Sequence, residues 1–241
     1  MKEPKRIGGA LLDALFPRRC PVCSDIVTPG GARICRDCEG VLEYVEEPCC
    51  LKCGAPLKDA GEVCCADCST REHKFDSGRA VFVYNDIMSL SIYGFKYNRR
   101  QEYAGFYADE IEKRLGRFIR DLEPDALVPI PLSRKRYIKR GYNQAELISN
   151  ELSKRIGVPV DADLLVRAKN TKPQKNLSVE ERENNLKRAF KIGRNDVSLK
   201  TVVLIDDIYT TGSTIDSAAG CLKEYGVKGV YFVVLSTSSM L

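Results

Sequence analysis

The chain has 241 residues, 44% of them apolar, with 38 Lys and Arg against 33 Asp and Glu for a formal charge of +5. This fits one α/β domain of ordinary size beside a smaller module, with a core that packs without special staples. The mild basic excess permits anionic partners without requiring them, and no apolar run approaches the ~18–20 residues of a membrane span.

Residues 1–6 are charged, and the apolar stretch 7–16 is interrupted by Asp13 and followed by Pro17, Arg18 and Arg19. No cleavage site of small residues follows, so the expectation is a cytoplasmic protein with a short amphipathic helix within residues 1–19. Ten of the eleven cysteines then fall between Cys20 and Cys68. In a cytoplasmic chain that density points to metal rather than to disulfides. Cys20, Cys23, Cys35 and Cys38 recur at Cys50, Cys53, Cys65 and Cys68, each displaced by 30 residues. Two such Cys-x2-Cys knuckles complete a tetrahedral shell of four thiolates, the usual structural zinc site. Two zinc ions are therefore expected, with Cys49 and Cys64 off the repeat. Interleaved pairing of the knuckles stays open. Redox-active or iron–sulfur cysteine chemistry is the alternative, but four closed knuckles leave no lone attacking thiol. Few large apolar side chains lie in residues 20–70, so zinc is expected to supply the folding energy of the cysteine-rich module over 20–72.

Cysteine usage ends at Cys68 apart from Cys221, which places a boundary near residue 72 and a second domain over 73–241. His73 stands in a charged linker and is expected to be solvated. Residues 80–84 form an apolar strand, 87–97 a helix, and Tyr103, Phe106, Tyr107, Ile111 and Leu115 mark a strong amphipathic helix whose aromatics belong to the core. Lys96 ends the first helix, either facing a ligand or solvated. A buried strand over 126–132 ends in prolines and runs into a loop with five cations in residues 133–140. Such a loop, with Arg136 and Arg140, suits an anionic leaving group such as pyrophosphate, or is a solvated face. Residues 164–166 read as a further strand. A long polar loop follows, carrying Gln174 and Arg182; long polar insertions in compact domains are often functional.

The densest chemistry lies in residues 202–214. Val202, Val203, Leu204 and Ile205 form a strand buried on both faces, as in a parallel sheet. Asp206 and Asp207 follow at its carboxyl end, where open α/β sheets bind ligands. Thr210, Thr211, Gly212, Ser213 and Thr214 then enter a helix patterned by Ile215, Ala218, Leu222 and Tyr225. A turn of this kind offers backbone N–H groups and a dipole to a phosphate. The carboxylates suit ribose hydroxyls or magnesium instead. No Gly-Lys-Ser/Thr ending is present, which excludes a Walker A loop.

This stretch closely resembles the loop of type I phosphoribosyltransferases that binds PRPP (phosphoribosyl pyrophosphate). Nearly the whole chain resembles the ComF family, through Phe16-Pro17 before Cys20-Pro21-Val22-Cys23, Lys96-Tyr97, Pro129-Ile130-Pro131-Leu132 and Arg140-Gly141-Tyr142-Asn143-Gln144-Ala145. Further matches are Thr171-Lys172-Pro173-Gln174, Leu177, Arg182, Asn185 and Ala189-Phe190; Asn184 before Asn185 departs from the usual pattern. The resemblance implies a type I phosphoribosyltransferase fold, mainly a parallel sheet flanked by helices, behind an N-terminal double zinc ribbon. It also implies a Mg²⁺–PRPP site and a link to natural competence, with single-stranded DNA and DNA-uptake proteins as partners.

In an enzyme of that kind Asp206 and Asp207 are the catalytic pair on the ribose, and residues 210–214 anchor the 5-phosphate. Lys96, Arg136 and Arg140 receive pyrophosphate, and the loop around Gln174 and Arg182 closes over the site. The acceptor is not legible. A PRPP-sensing, DNA-handling factor, a nucleobase-salvage transferase and a zinc-ribbon adaptor are the rival readings.

Overall fold

The computed structural model describes residues 17–27, 32–59, 61–168, 189–194 and 198–238. The helix expected within residues 1–19 lies almost wholly outside the described residues, and the loop with Gln174 and Arg182 entirely so. Two single-turn helices, α1 (Arg36–Glu39) and α2 (Ala66–Thr70), lie in the cysteine region. There follow β1 (Gly78–Val83), α3 (Asp86–Tyr97), α4 (Tyr103–Asp121), β2 (Ala126–Pro129), α5 (Arg134–Arg140) and α6 (Gln144–Ile156). The chain continues through β3 (Leu165–Arg167), β4 (Phe190–Ile192), β5 (Thr201–Tyr209), α7 (Ser213–Glu224) and β6 (Gly229–Thr237).

The main sheet runs β1, β6, β5, β2, every pair parallel. Its inner strand β5 carries Val202, Val203, Leu204 and Ile205 with no exposed surface, because both faces are covered. Side-chain alternation sorts the core. Leu127, Val203, Ile205, Val233 and Leu235 pack with residues of α3, α4 and α6. Val128, Val202, Leu204, Phe232 and Val234 pack with residues of α7 and of the second cysteine unit. β3 and β4 form a separate antiparallel pair rather than extending the sheet. The edge of β1 is covered by the segment between the two cysteine units: Val45 N–H donates to Val81 O and Val83 N–H to Glu43 O, each at 2.9 Å.

Local signals explain the helices near the sheet's carboxyl end. Asn85 caps α3 by accepting from Met88 N–H, and Asn143 caps α6 by accepting from Ala145 N–H. The basic run expected as a loop is the helix α5, capped by Ser133 and closed by Gly141 at φ 83°. It hides from a periodicity search because none of its residues is buried. α3 turns Leu90 and Tyr93 outward, and Tyr225 is likewise exposed; the buried aromatics of α4 are as expected.

The cysteine repeat is also a backbone repeat. Arg19 bridges Ile26 and Cys49 bridges Pro56; Ser24 N–H donates to Cys20 O and Gly54 N–H to Cys50 O. The packing differs. The first unit forms a satellite cluster of Cys20, Val27 and Cys38 and meets α4 partly through polar contacts. There the Tyr103 hydroxyl donates to Cys20 O at 3.0 Å, and Arg33 pairs with Asp109. In the second unit Cys50, Cys53, Ala55 and Cys65 join the core of the sheet with Phe75, Tyr209 and Phe232. The module therefore has more hydrophobic support than expected, slight in the first unit, where Val22 and Ile34 lie against the core cluster of α3 and α4, and extensive in the second. His73 corrects another expectation. It is 5% exposed rather than solvated, because two carboxylates, Asp67 and Asp216, meet its ring nitrogens.

Candidate functional site

Beyond the carboxyl end of β5 lies a cleft of about 230 Å³. Its walls include Asp206 and Asp207 from β5, Thr210 and Thr214 from the following turn, Lys96 from α3, Arg136 and Arg140 from α5, and Arg167 from β3. Three separate elements thus bring the cations to the two acids. A smaller recess adjoins it, lined by Thr210, Gly212, Ser213 and Thr214. Thr211 is exposed, its hydroxyl 3.1 Å from that of Ser213.

Gly212 takes φ 70° as the residue before α7, and no side chain caps the helix there. Its first N–H groups receive no cap from residue 212 and stand at the positive end of the helix dipole. A side chain at 212 is disfavoured twice, because the left-handed backbone strains it and because a Cβ would lie 2.5 Å from the Tyr209 hydroxyl. That hydroxyl is itself buried without a hydrogen-bond partner among the described residues.

Asp207 Oδ1 lies 2.9 Å from Lys96 Nζ, with both side chains mostly buried. Asp206 Oδ1 accepts from Asp207 N–H at 2.8 Å. Burial and the Asp207 charge push the Asp206 carboxyl up to about 7, against the pull of Lys96 and Arg167. Lys96 therefore lines the cleft, one of the two placements left open, but already carries a carboxylate partner.

Arg140 donates to Gln144 Oε1 at 2.6 Å and to the Tyr97 hydroxyl at 3.2 Å. Arg140 Nε and Gln144 Nε2 are buried donors without partners among the described residues. Arg167 was not singled out from the sequence, where it reads as the first residue of the polar loop. It donates to Pro131 O at 3.2 Å and lies over the Phe190 ring. Its burial, with Arg136 nearby, lowers its affinity for a proton from the usual value. The available signal was its place at the end of the apolar run 164–166.

Cys20, Cys23, Cys35 and Cys38 converge in one group and Cys50, Cys53, Cys65 and Cys68 in another, so consecutive knuckles pair and the interleaved arrangement is excluded. The Cys20–Cys35, Cys23–Cys35 and Cys53–Cys65 sulfurs are 3.6–3.7 Å apart. A tetrahedron with Zn–S of about 2.3 Å has edges of about that length. Burial opposes a charge on Cys50, yet backbone N–H groups of Cys53, Cys65 and Lys52 lower its thiol from the usual value, while burial and that charge push Cys53 and Cys68 up. A sulfur held in this way is prepared as a thiolate ligand. Cys49 instead donates to Glu47 Oε1, and Cys64 belongs to neither group. Both quartets suit a structural zinc ion. Among the described residues no helix is long and apolar enough to cross a membrane.

The double zinc ribbon domain family matches residues 11–69, and the phosphoribosyl transferase domain family matches residues 139–238. Competence protein F of Haemophilus influenzae is 32% identical over 170 residues, which span 66% of this chain and 72% of that protein. DNA utilization protein YhgH of Salmonella typhimurium is 33% identical over 154 residues, 63% of this chain and 67% of its own length. Competence protein ComFC of Bacillus subtilis is 33% identical over 148 residues, 61% and 58% respectively. With a double zinc ribbon leading into a parallel sheet of phosphoribosyltransferase type, the chain belongs to the ComF family of competence and DNA utilization proteins.

Proposed function

We propose that the cleft binds PRPP with Mg²⁺ and that the protein transfers the phosphoribosyl group to an acceptor, in the service of DNA uptake in the cytoplasm. One observation carries this reading: two carboxylates, an uncapped helix start and four cations open onto one cleft system. The parts match PRPP in order. The amides and hydroxyls of residues 210–214 suit the 5-phosphate, Asp206 and Asp207 the ribose hydroxyls, and Arg136, Arg140 and Arg167 the pyrophosphate. The unpaired Arg140 Nε supplies a donor of the kind an incoming anion satisfies.

Hard oxygen donors on Asp206, Asp207 and Thr210 fit magnesium, which when bound offsets charge on the departing pyrophosphate. Displacement at the anomeric carbon builds positive charge on the sugar and negative charge on the leaving group. Carboxylates beneath the ribose and arginines at the pyrophosphate stabilise both by position and charge. Lys96 would move from Asp207 towards the pyrophosphate when ligand enters.

A second reading is PRPP sensing without turnover. It draws support from the cleft's described walls, which hold no histidine and no lysine free of a carboxylate, so that the bases there are the two carboxylates already assigned to the ribose. Calorimetry with Mg²⁺ and PRPP tests the site: Asp206→Asn with Asp207→Asn should weaken binding at least tenfold, and unchanged affinity would remove the pair from it. Pyrophosphate release with a panel of bases, amines and single-stranded DNA separates the two readings. Turnover supports transfer; binding without release supports sensing.

A further inference from the structure

The only histidine of the chain is absent from the cleft, yet it joins the second ribbon to the helix behind the phosphate turn. His73 Nδ1 is 2.6 Å from Asp216 Oδ2, and its Nε2 is 3.0 Å from Asp67 Oδ2. Asp67 lies in α2 beside the cluster residue Cys68, while Asp216 lies in the first turn of α7. Lys74 N–H donates to the other oxygen of Asp216 at 2.8 Å. Both oxygens of that carboxylate are thus held from the ribbon side, and neither folds back to cap the amides of its own helix.

A second contact runs parallel to the first. Phe75 has no exposed surface and stacks on His73 with centroids 4.8 Å apart. The ammonium of Lys52, between Cys50 and Cys53, lies 5.3 Å above its ring. Phe75 in turn meets Tyr209 edge-on at 6.1 Å, and the Tyr209 hydroxyl occupies the space where a side chain on Gly212 would go. The first ribbon has no counterpart, since the position 30 residues before His73 is Glu43, beside β1.

We propose that the second ribbon positions the phosphate turn: metal at Cys50, Cys53, Cys65 and Cys68 fixes α2, and His73 transmits that placement to the start of α7. His73 is a positioning residue that touches no ligand. This rests on the PRPP reading of the cleft. Helix-start amides hold a phosphate well only when aimed at it, and displacements of about 1 Å are costly to affinity and rate. Coupling of this kind is reciprocal, so a ligand on the turn must also tighten the second metal site.

The test uses full-length zinc-loaded protein, with PRPP and Mg²⁺ as the probe. Saturating PRPP should slow zinc release to a chelator at least threefold for one of the two ions and leave the other unchanged. His73→Phe keeps the stacking on Phe75 but loses both hydrogen bonds, and Asp67→Asn weakens only the ribbon side. Both should retain two zinc ions, bind PRPP about fivefold or more weakly, at the lower end of typical coupling, and lose the protection. Wild-type protein that binds PRPP but protects neither ion, or variants that bind and protect as wild type does, would overturn the inference alone. Wild-type protein that does not bind PRPP would overturn both the inference and the reading on which it rests.

Discussion

Ser24 and Gly54 occupy the same place in the two ribbons, with left-handed φ of 66° and 73° and the same hydrogen bond to a cysteine carbonyl. The first ribbon tolerates a side chain there. In the second, a Cβ would lie 2.8 Å from both Arg79 Cα and Gly78 O, because this knuckle is pressed against the start of β1. One 30-residue unit has thus been used twice, as a satellite seated on α4 and as part of the sheet's own core. The lesson is that a repeated metal motif predicts repeated local geometry, while the surface it meets decides what the metal supports.

The sharpest way to break this contrast is to remove each metal in turn. Cys50→Ser with Cys53→Ser should lower the melting temperature of the whole chain by about 10–20 °C, as ~5 kcal/mol does in a domain of this size. Cys20→Ser with Cys23→Ser should leave the main calorimetric transition within about 3 °C. Equal falls would erase the distinction between the ribbons.

The matched glycine and serine give a smaller, more local comparison. Gly54→Ser should destabilise the protein by about 2–4 kcal/mol in denaturant titration, combining left-handed strain with a backbone clash. Ser24→Gly should stay within about 0.5 kcal/mol.

The cleft tests which ribbon matters for binding. With Asp206 pushed up to about 7, its carboxyl is mostly protonated at pH 6 and mostly ionised at pH 8. A cation or ribose hydroxyl needs the ionised form, so affinity for PRPP with Mg²⁺ should rise about tenfold from pH 6 to 8. Asp206→Asn should flatten that rise, and loss of the first zinc should leave it intact. The smallest effect concerns the off-register thiols: Cys49→Ser and Cys64→Ser should each keep two zinc ions by elemental analysis and change stability by less than about 1 kcal/mol.

Much of this was legible because it is local. The Cys-x2-Cys repeat, the apolar run 202–205 and the Asp-Asp and Thr-Thr-Gly-Ser-Thr elements each state their chemistry within a few residues. The pairing of the knuckles was less so, since interleaved and consecutive arrangements share one spacing. Arg167 and the helical form of residues 134–140 were missed because neither carries an apolar period. His73 was misread for a related reason: its partners are 6 and 143 positions away, and its charged neighbours resemble a solvated linker.

The sequence by itself determined the eight cysteines of the repeat, the parallel sheet and the residue types of the turn at residues 210–214, because each follows from side-chain type and short spacing. Only the tertiary structure decided that the second ribbon belongs to the core, that Lys96 meets Asp207, and that His73 ties Asp67 to Asp216. Those contacts join residues distant along the chain, where burial and charge pairing act only after the sheet has brought them together.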